Sequence, residues 1–304
     1  MRCRRCRAPD IVIELRRHNA AFCKDCFLHH CREQVRKAID EFDMFTPDQR
    51  ILVAVSGGKD SLGLWDILLD LGYHADGLYL GLGIGDYSDE SAQMAKAFAD
   101  RRQANLVTVD LPTDYGFDVP SAAKITKRVP CSACGLSKRH LFNQAARQGG
   151  YDVVATGHNL DDEAAVLLGN VLRWDADYLG RQQPVLPASE DGFVKKVKPL
   201  VRLGERELAA YCVLTGIDYI VEECPNAVGN KHLGYKEALN AVEEQSPGTK
   251  NAFYFGFLAR AVGLFATDTA AAKDELAPCP SCGSPTTGEV CAFCKLLTRV
   301  TVER

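Results

Sequence analysis

A doubly wound α/β fold around a parallel sheet, flanked at each end by a four-cysteine module, is what this 304-residue chain predicts. Three observations carry that expectation. Short apolar runs alternate with stretches of helical spacing from residue 50 onward. A glycine turn stands between the first such run and its helix. Paired C-x-x-C motifs open and close the chain.

The bulk numbers narrow the class. The length suits one large domain with small appendages. A net charge of −4 gives no global nucleic-acid signature, so such a partner must use a local patch. No apolar run of about eighteen residues and no signal-peptide pattern is present, so a cytoplasmic enzyme without a membrane partner is expected. Five C-x-x-C pairs account for ten of the thirteen cysteines, and metal binding in a reducing compartment explains them better than disulfides do.

Residues 1–31 hold Cys3/Cys6 and Cys23/Cys26, separated by sixteen residues, a spacing that can set four thiolates around zinc. His29, His30 and Cys31 follow closely and could replace one ligand. Arg2, Arg4, Arg5, Arg7, Arg16 and Arg17 form either a solvated basic face or a phosphate contact. Residues 32–49 read as a linker, with a helix from Glu33 to Phe45 stopped by Thr46-Pro47.

Residues 50–222 form the central domain. Ile51–Val55 is a buried strand; Leu62, Leu64, Trp65, Ile67, Leu68 and Leu71 mark the following helix. Between them stands Ser56-Gly57-Gly58-Lys59-Asp60-Ser61. Two glycines let backbone N–H groups approach an anion, the helix start adds its dipole, and Lys59 adds a full charge. Such a loop holds phosphate. It departs from G-x-x-x-x-G-K-[ST], because Val53 replaces the first glycine and Asp60 the magnesium-binding hydroxyl.

Further strands are expected at Ala75–Leu80, Leu106–Val109 and after Tyr151, with a flexible loop at Gly81–Gly85 and a helix capped by Ser88-Asp-Glu-Ser91. Asp161, Asp162 and Glu163 fall in a first helical turn, where they serve as caps or as magnesium ligands. His158 suits a structural or a chemical role. Cys131 and Cys134 open another helix, and Cys224 is their nearest remaining candidate partner, since Cys212 lies in an apolar helical stretch. Residue types leave three readings open for that trio: an iron–sulfur cluster, zinc, or a persulfide-forming pair. Lys195, Lys196, Lys198, Arg202 and Arg206 form a solvated edge or an RNA contact; Lys231, His232, Tyr235 and Lys236 give a weak RNA signal. Residues 223–277 form an extension ending in a linker from 266, and 278–304 carry Cys279/Cys282 and Cys291/Cys294, a second zinc module.

The loop resembles the PP-loop of ATP pyrophosphatases, which cut ATP to AMP and pyrophosphate. With both cysteine modules, Cys131-Ser-Ala-Cys134-Gly-Leu-Ser-Lys138-Arg139, Thr156-Gly-His-Asn-Leu-Asp-Asp-Glu-Ala-Ala165 and Glu222-Glu-Cys-Pro-Asn226, nearly the whole chain closely resembles the TtuA-type tRNA 2-thiouridine synthetases. It is more distantly similar to tRNA 2-thiocytidine synthetases and wobble-uridine thiolases. The resemblance implies a PP-loop α/β fold and adenylation of uracil O2 by magnesium ATP. Sulfur then replaces that oxygen at C2 of the T-loop 5-methyluridine of tRNA. It implies a [4Fe-4S] cluster on Cys131, Cys134 and Cys224, and a sulfur donor that is a ubiquitin-like thiocarboxylate carrier. ATP contacts would fall to Ala54, Val55, Ser56, Gly57, Gly58, Lys59, Asp60, Ser61, Leu80, Lys138, Gly157 and Asp162, with Asp60, Lys138 and Asp162 assisting chemistry. Enzymes of this kind often pair, so a homodimer is expected. The first finger departs from a frequent Cys-x-x-His ending by carrying Cys26, which ligates zinc equally well. Two alternatives are thiolation of cytidine or wobble uridine, and an RNA-binding zinc scaffold with a decayed ATP site. Intact Gly57, Gly58, Lys59 and Asp60 argue against the scaffold.

Overall fold

The computed structural model describes residues 1–227, 231–265 and 276–302. The chain opens with a hairpin, β1 (Ile13–Leu15) and β2 (Ala20–Phe22), and a long helix α1 (Lys24–Glu41). Cys23 is the N-cap of α1, so the second cysteine knuckle and the expected linker helix are one continuous element. That helix starts well before Glu33 and ends short of Phe45.

The central domain runs β3 (Arg50–Val55), α2 (Lys59–Asp70), β4 (His74–Gly81), α3 (Gly85–Arg102), β5 (Leu106–Asp110), α4 (Val119–Thr126), α5 (Pro130–Gly149), β6 (Val153–Thr156), α6 (Leu160–Arg173), α7 (Ala176–Gly180), β7 (Val185–Leu186), β8 (Lys195–Val197) and α8 (Glu205–Thr215). Two helices, α9 (Lys231–Gln245) and α10 (Thr249–Arg260), follow it. A hairpin, β9 (Ala277–Pro278) and β10 (Pro285–Thr286), and α11 (Ala292–Val302) complete the chain. The linker expected from 266 lies, up to 275, outside the described residues.

The six strands of the main sheet lie in the order β5-β4-β3-β6-β8-β7, all parallel except β7, which pairs antiparallel with β8. The chain leaves β3 toward β4 and β5, then returns to β6 on the other side of β3. The switch point of the sheet therefore lies at the carboxyl ends of β3 and β6, where doubly wound sheets bind ligands.

The β-branched run that marks β3 feeds two cores. Ile51, Val53 and Val55 enter one with α1, α2 and α8, while Leu52 enters the other with α4 and α5. This alternation is what a strand buried on both faces requires. Trp65 locks α2 to β4: it is fully buried, donates its indole N–H to the Ala75 carbonyl at 2.9 Å, and lies over Gly77, where a Cβ would meet its ring at 2.5 Å.

The basic run at 195–198 is not a solvated edge. It forms β8 inside the sheet, where Lys195 donates to the Asp43 carbonyl and Lys198 reaches the buried Glu163 at 2.7 Å. Arg202 pairs with Glu41 and stacks over Phe255. These cations serve packing, which corrects the solvated-edge reading. Tyr235 and Lys236 are likewise turned inward, Tyr235 against Gly169 of α6. The side chain of Lys231 lies outside the described residues. No described helix is long and apolar enough to cross a membrane.

Candidate active site

The loop after β3 is held by its own ends. Ser61 Oγ accepts from Ser56 N–H at 3.1 Å and donates to the Gly58 carbonyl at 3.0 Å. Gly57 has φ +76°, and a Cβ there would stand 2.5 Å from the Ser91 carbonyl oxygen on α3. Only glycine fits that conformation and that gap. Gly58 caps α2 in an extended conformation, and no side chain caps the helix start, which follows the carboxyl end of β3. Gly157, between β6 and α6, stands where a Cβ would be 2.9 Å from Ser61 N. The two strand-to-helix turns at the switch point are pressed together. Ala54, Val55 and Leu80 lie at the carboxyl ends of β3 and β4, with Val55 opposite Tyr79 in register.

Around this loop the structure closes a ring of charges. Lys59 Nζ donates to Glu205 Oε1 at 2.8 Å and to Asp60 Oδ2 at 3.2 Å. Asn159 Nδ2 donates to Asp60 Oδ1 at 3.2 Å. Asn159 also caps α6: its Oδ1 accepts from Asp161 and Asp162 N–H, and Asp162 Oδ2 accepts from Asn159 N–H in return. Lys236 Nζ joins Asp162 Oδ1 at 2.6 Å and Glu205 Oε2 at 3.3 Å, completing the circuit. Burial raises the Asp60 carboxyl to about 6 against the pull of Lys59, with Asp162 adding to the rise. Burial works against charge on Lys236, yet Asp162 and Glu205 hold it above the ordinary lysine range.

Of the three acids in the first turn of α6, Asp162 joins the charge ring around the loop, through Asn159 and Lys236. Asp161 is buried against Lys250 and accepts from Glu205 N–H at 2.9 Å. Glu163 is buried among Gln182, Lys198 and Tyr254. Magnesium coordination by all three is therefore excluded; Asp161 and Glu163 are structural anchors. His158 is exposed, with Nδ1 at 2.8 Å from Thr156 Oγ1.

Cys131 and Cys134 lie one turn apart at the start of α5, and Lys138 follows one turn later. Cys224 stands directly before the short turn Pro225–Ala227, whose Asn226 carbonyl accepts from Cys131 Sγ at 3.3 Å. Burial raises the Cys134 thiol; Lys138 opposes that rise, and Cys224 and Cys131 add to it. Lys138 also acts on His158.

Among the described residues, three sets of metal-ligating atoms lie within 4.8 Å of one another, and two are Cys3/Cys6/Cys23/Cys26 and Cys279/Cys282/Cys291/Cys294. All thirteen cysteines are free thiols. Backbone N–H groups of Cys291 and Cys294 point at the sulfurs of Cys279 and Cys291, as thiolate ligands require. Both groups fit zinc. Cys31 is buried in the core outside the first group, and His29 takes no part in it. Cys131, Cys134 and Cys224 are not gathered this tightly. A four-iron cube takes one thiolate per iron and so spreads its cysteines more widely than a single zinc does, which fits the looser trio.

Sequence reasoning missed Glu205, Asn159 and the inward role of Lys236. The capping pattern Asn159-Leu160-Asp161-Asp162 was a local signal for Asn159. Glu205 and Lys236 reach the loop only through tertiary structure.

The family descriptions that match are "2-thiouridine synthetase TtuA, N-terminal LIM domain" over residues 2–28 and "PP-loop domain" over residues 28–228. The chain is 50% identical to a tRNA-5-methyluridine(54) 2-sulfurtransferase of Thermus thermophilus, covering 93% of this chain and 87% of that one. A protein of the same name from Pyrococcus horikoshii is 41% identical over 97% of this chain and 93% of its own. Among solved structures, the U34-tRNA thiolase NcsA of Methanococcus maripaludis, described with its [4Fe-4S] cluster, is similar at TM-score 0.80 and 25% identity. That match covers 97% of this chain and 95% of that one. Two family models that together span residues 2–228, and relatives 41–50% identical over almost the entire length, leave one assignment: the chain belongs to the TtuA-type tRNA 2-thiouridine synthetases, sulfurtransferases of the PP-loop superfamily.

Proposed function

We propose that this enzyme adenylates O2 of the T-loop 5-methyluridine at tRNA position 54 and replaces that oxygen with sulfur. The observation that carries this reading is an intact phosphate loop at the switch point of the sheet, ringed by Lys59, Asp60, Asp162 and Glu205, in a chain that also brings Cys131 against the segment carrying Cys224. The names of the Thermus and Pyrococcus relatives support the nucleoside.

The amides of Gly57, Gly58 and Lys59 and the start of α2 receive the phosphates of ATP, with Val55 and Leu80 beside the base. Asp60 and Asp162 would hold Mg2+, whose charge would favour release of pyrophosphate. Uracil O2 attacks the α-phosphorus as N3 gives up its proton, and the bond to pyrophosphate breaks. Lys138 stabilises negative charge at the phosphoryl group. A sulfur nucleophile then adds at C2, and AMP leaves with the original oxygen. Cys131, Cys134 and Cys224 would hold a [4Fe-4S] cluster, which would offer sulfur a place to bind. The resemblance points to a ubiquitin-like thiocarboxylate carrier as donor. The two four-cysteine modules would each hold zinc in a structural role.

Reconstituted full-length variants Cys131→Ala, Cys134→Ala and Cys224→Ala should lose tRNA thiolation by at least ~100-fold while zinc per chain stays constant. Thiolation by the triple variant at the parental rate would contradict the cluster assignment.

A further inference from the structure

The third set of converging ligand atoms has no place in the account above. His18, from the turn between β1 and β2, His30, from α1, and Glu207, from α8, bring their side chains within 4.8 Å of one another. None shares an atom with the cysteine group of the first finger. Three of their polar atoms, His18 Nε2, His30 Nε2 and Glu207 Oε1, are buried with no hydrogen-bond partner among the described residues. Three such groups left unsatisfied in one spot are destabilising unless a ligand meets them.

The surroundings fix these atoms instead of quenching them. Glu207 Oε2 is fully engaged, accepting from Arg17 at 2.6 Å and from Gly204 N–H at 2.7 Å, which turns Oε1 toward the histidines. Phe22 stacks on the His30 ring at 5.1 Å, and Arg4 holds the His18 carbonyl at 2.7 Å. His30 Nε2 and Glu207 Oε1 are 3.6 Å apart, too far for a good hydrogen bond. Ligands about 2.1 Å from a tetrahedral zinc stand ~3.4 Å from each other. The spacing matches two ligands of one ion.

We propose that His18, His30 and Glu207 form a third zinc site, with water as the fourth ligand. Two imidazoles and one carboxylate are a donor set that zinc takes. The ion would join two nearby stretches of the N-terminal module to α8, which is distant in sequence. It would clip the finger to α8, whose first residue, Glu205, holds Lys59 of the phosphate loop.

The test uses the full chain with its cluster, dialysed against Zn2+, with zinc and iron counted per chain by elemental mass spectrometry. His18→Ala and His30→Ala should each lose one zinc equivalent, with iron unchanged and His29→Ala retaining the parental zinc. A Co2+ titration of the unaltered protein, after zinc removal, guards against misfolded variants. Beyond the equivalents that show thiolate-to-cobalt charge transfer, one more should bind with ligand-field absorption alone. Parental zinc in both histidine variants, or the absence of that extra cobalt equivalent, would overturn the site.

Discussion

Asp60 sits in the loop at an electrostatic cost. Burial lifts its carboxyl from 3.8 to about 6. A folded-state value above the unfolded one means that the ionised carboxylate disfavours folding. The penalty is complete above about pH 6, shrinks as pH falls through that value, and is gone below 3.8. Asp60→Asn should therefore raise the stability of the metal- and nucleotide-free protein at pH 7 by at most ~3 kcal/mol, and not at pH 3.5, while abolishing thiolation. Urea denaturation at the two pH values reads the first part. Neighbouring carboxylates separate cleanly by role. Lys250→Met leaves Asp161 charged, buried and unpaired, and should cost ~3–5 kcal/mol with little change in kcat. Asp162→Asn should do the reverse, losing activity in a protein that unfolds near the parental midpoint. The sequence marked Asp162 through its place in a first helical turn. It could not distinguish Asp161 or Glu163 from it, because their partners Lys250, Lys198 and Tyr254 come from distant segments.

At the scale of elements, β3 and α2 were legible because each carries an unambiguous period: β-branched residues in a run, then apolar residues at helical spacing. The loop between them was legible because its glycines have no substitute. Gly57→Ala would force a Cβ into the Ser91 carbonyl at positive φ. It should weaken ATP binding by ~100-fold or more and cost ~1–2 kcal/mol of stability, read by nucleotide titration and thermal melting. The strand β8 was not legible, since Lys195-Lys196-Val197 buries only Val197 fully and spends its lysines on contacts invisible in one dimension. The long α1 was divided in two because Cys23 and Cys26 read as a zinc knuckle, although the second knuckle also starts the helix.

Over the whole molecule, the cysteine modules were read from spacing alone, but their placement was not. The first packs into the core on one face of the sheet. The second packs on the opposite face, where Phe293 stacks on His140 of α5 at 4.2 Å. That second contact buttresses the same helix that carries Cys131, Cys134 and Lys138. The charge ring around the loop likewise draws residues from α2, α6, α8 and α9, and no local pattern could have announced it. The central claim, ATP-dependent thiolation of the T-loop 5-methyluridine, is tested most directly by nucleoside mass spectrometry of bulk tRNA from cells lacking this protein. The account predicts that 2-thio-5-methyluridine disappears while other thionucleosides persist and return of the gene restores it. Loss of 2-thiocytidine or a wobble 2-thiouridine instead, with 2-thio-5-methyluridine intact, would contradict it.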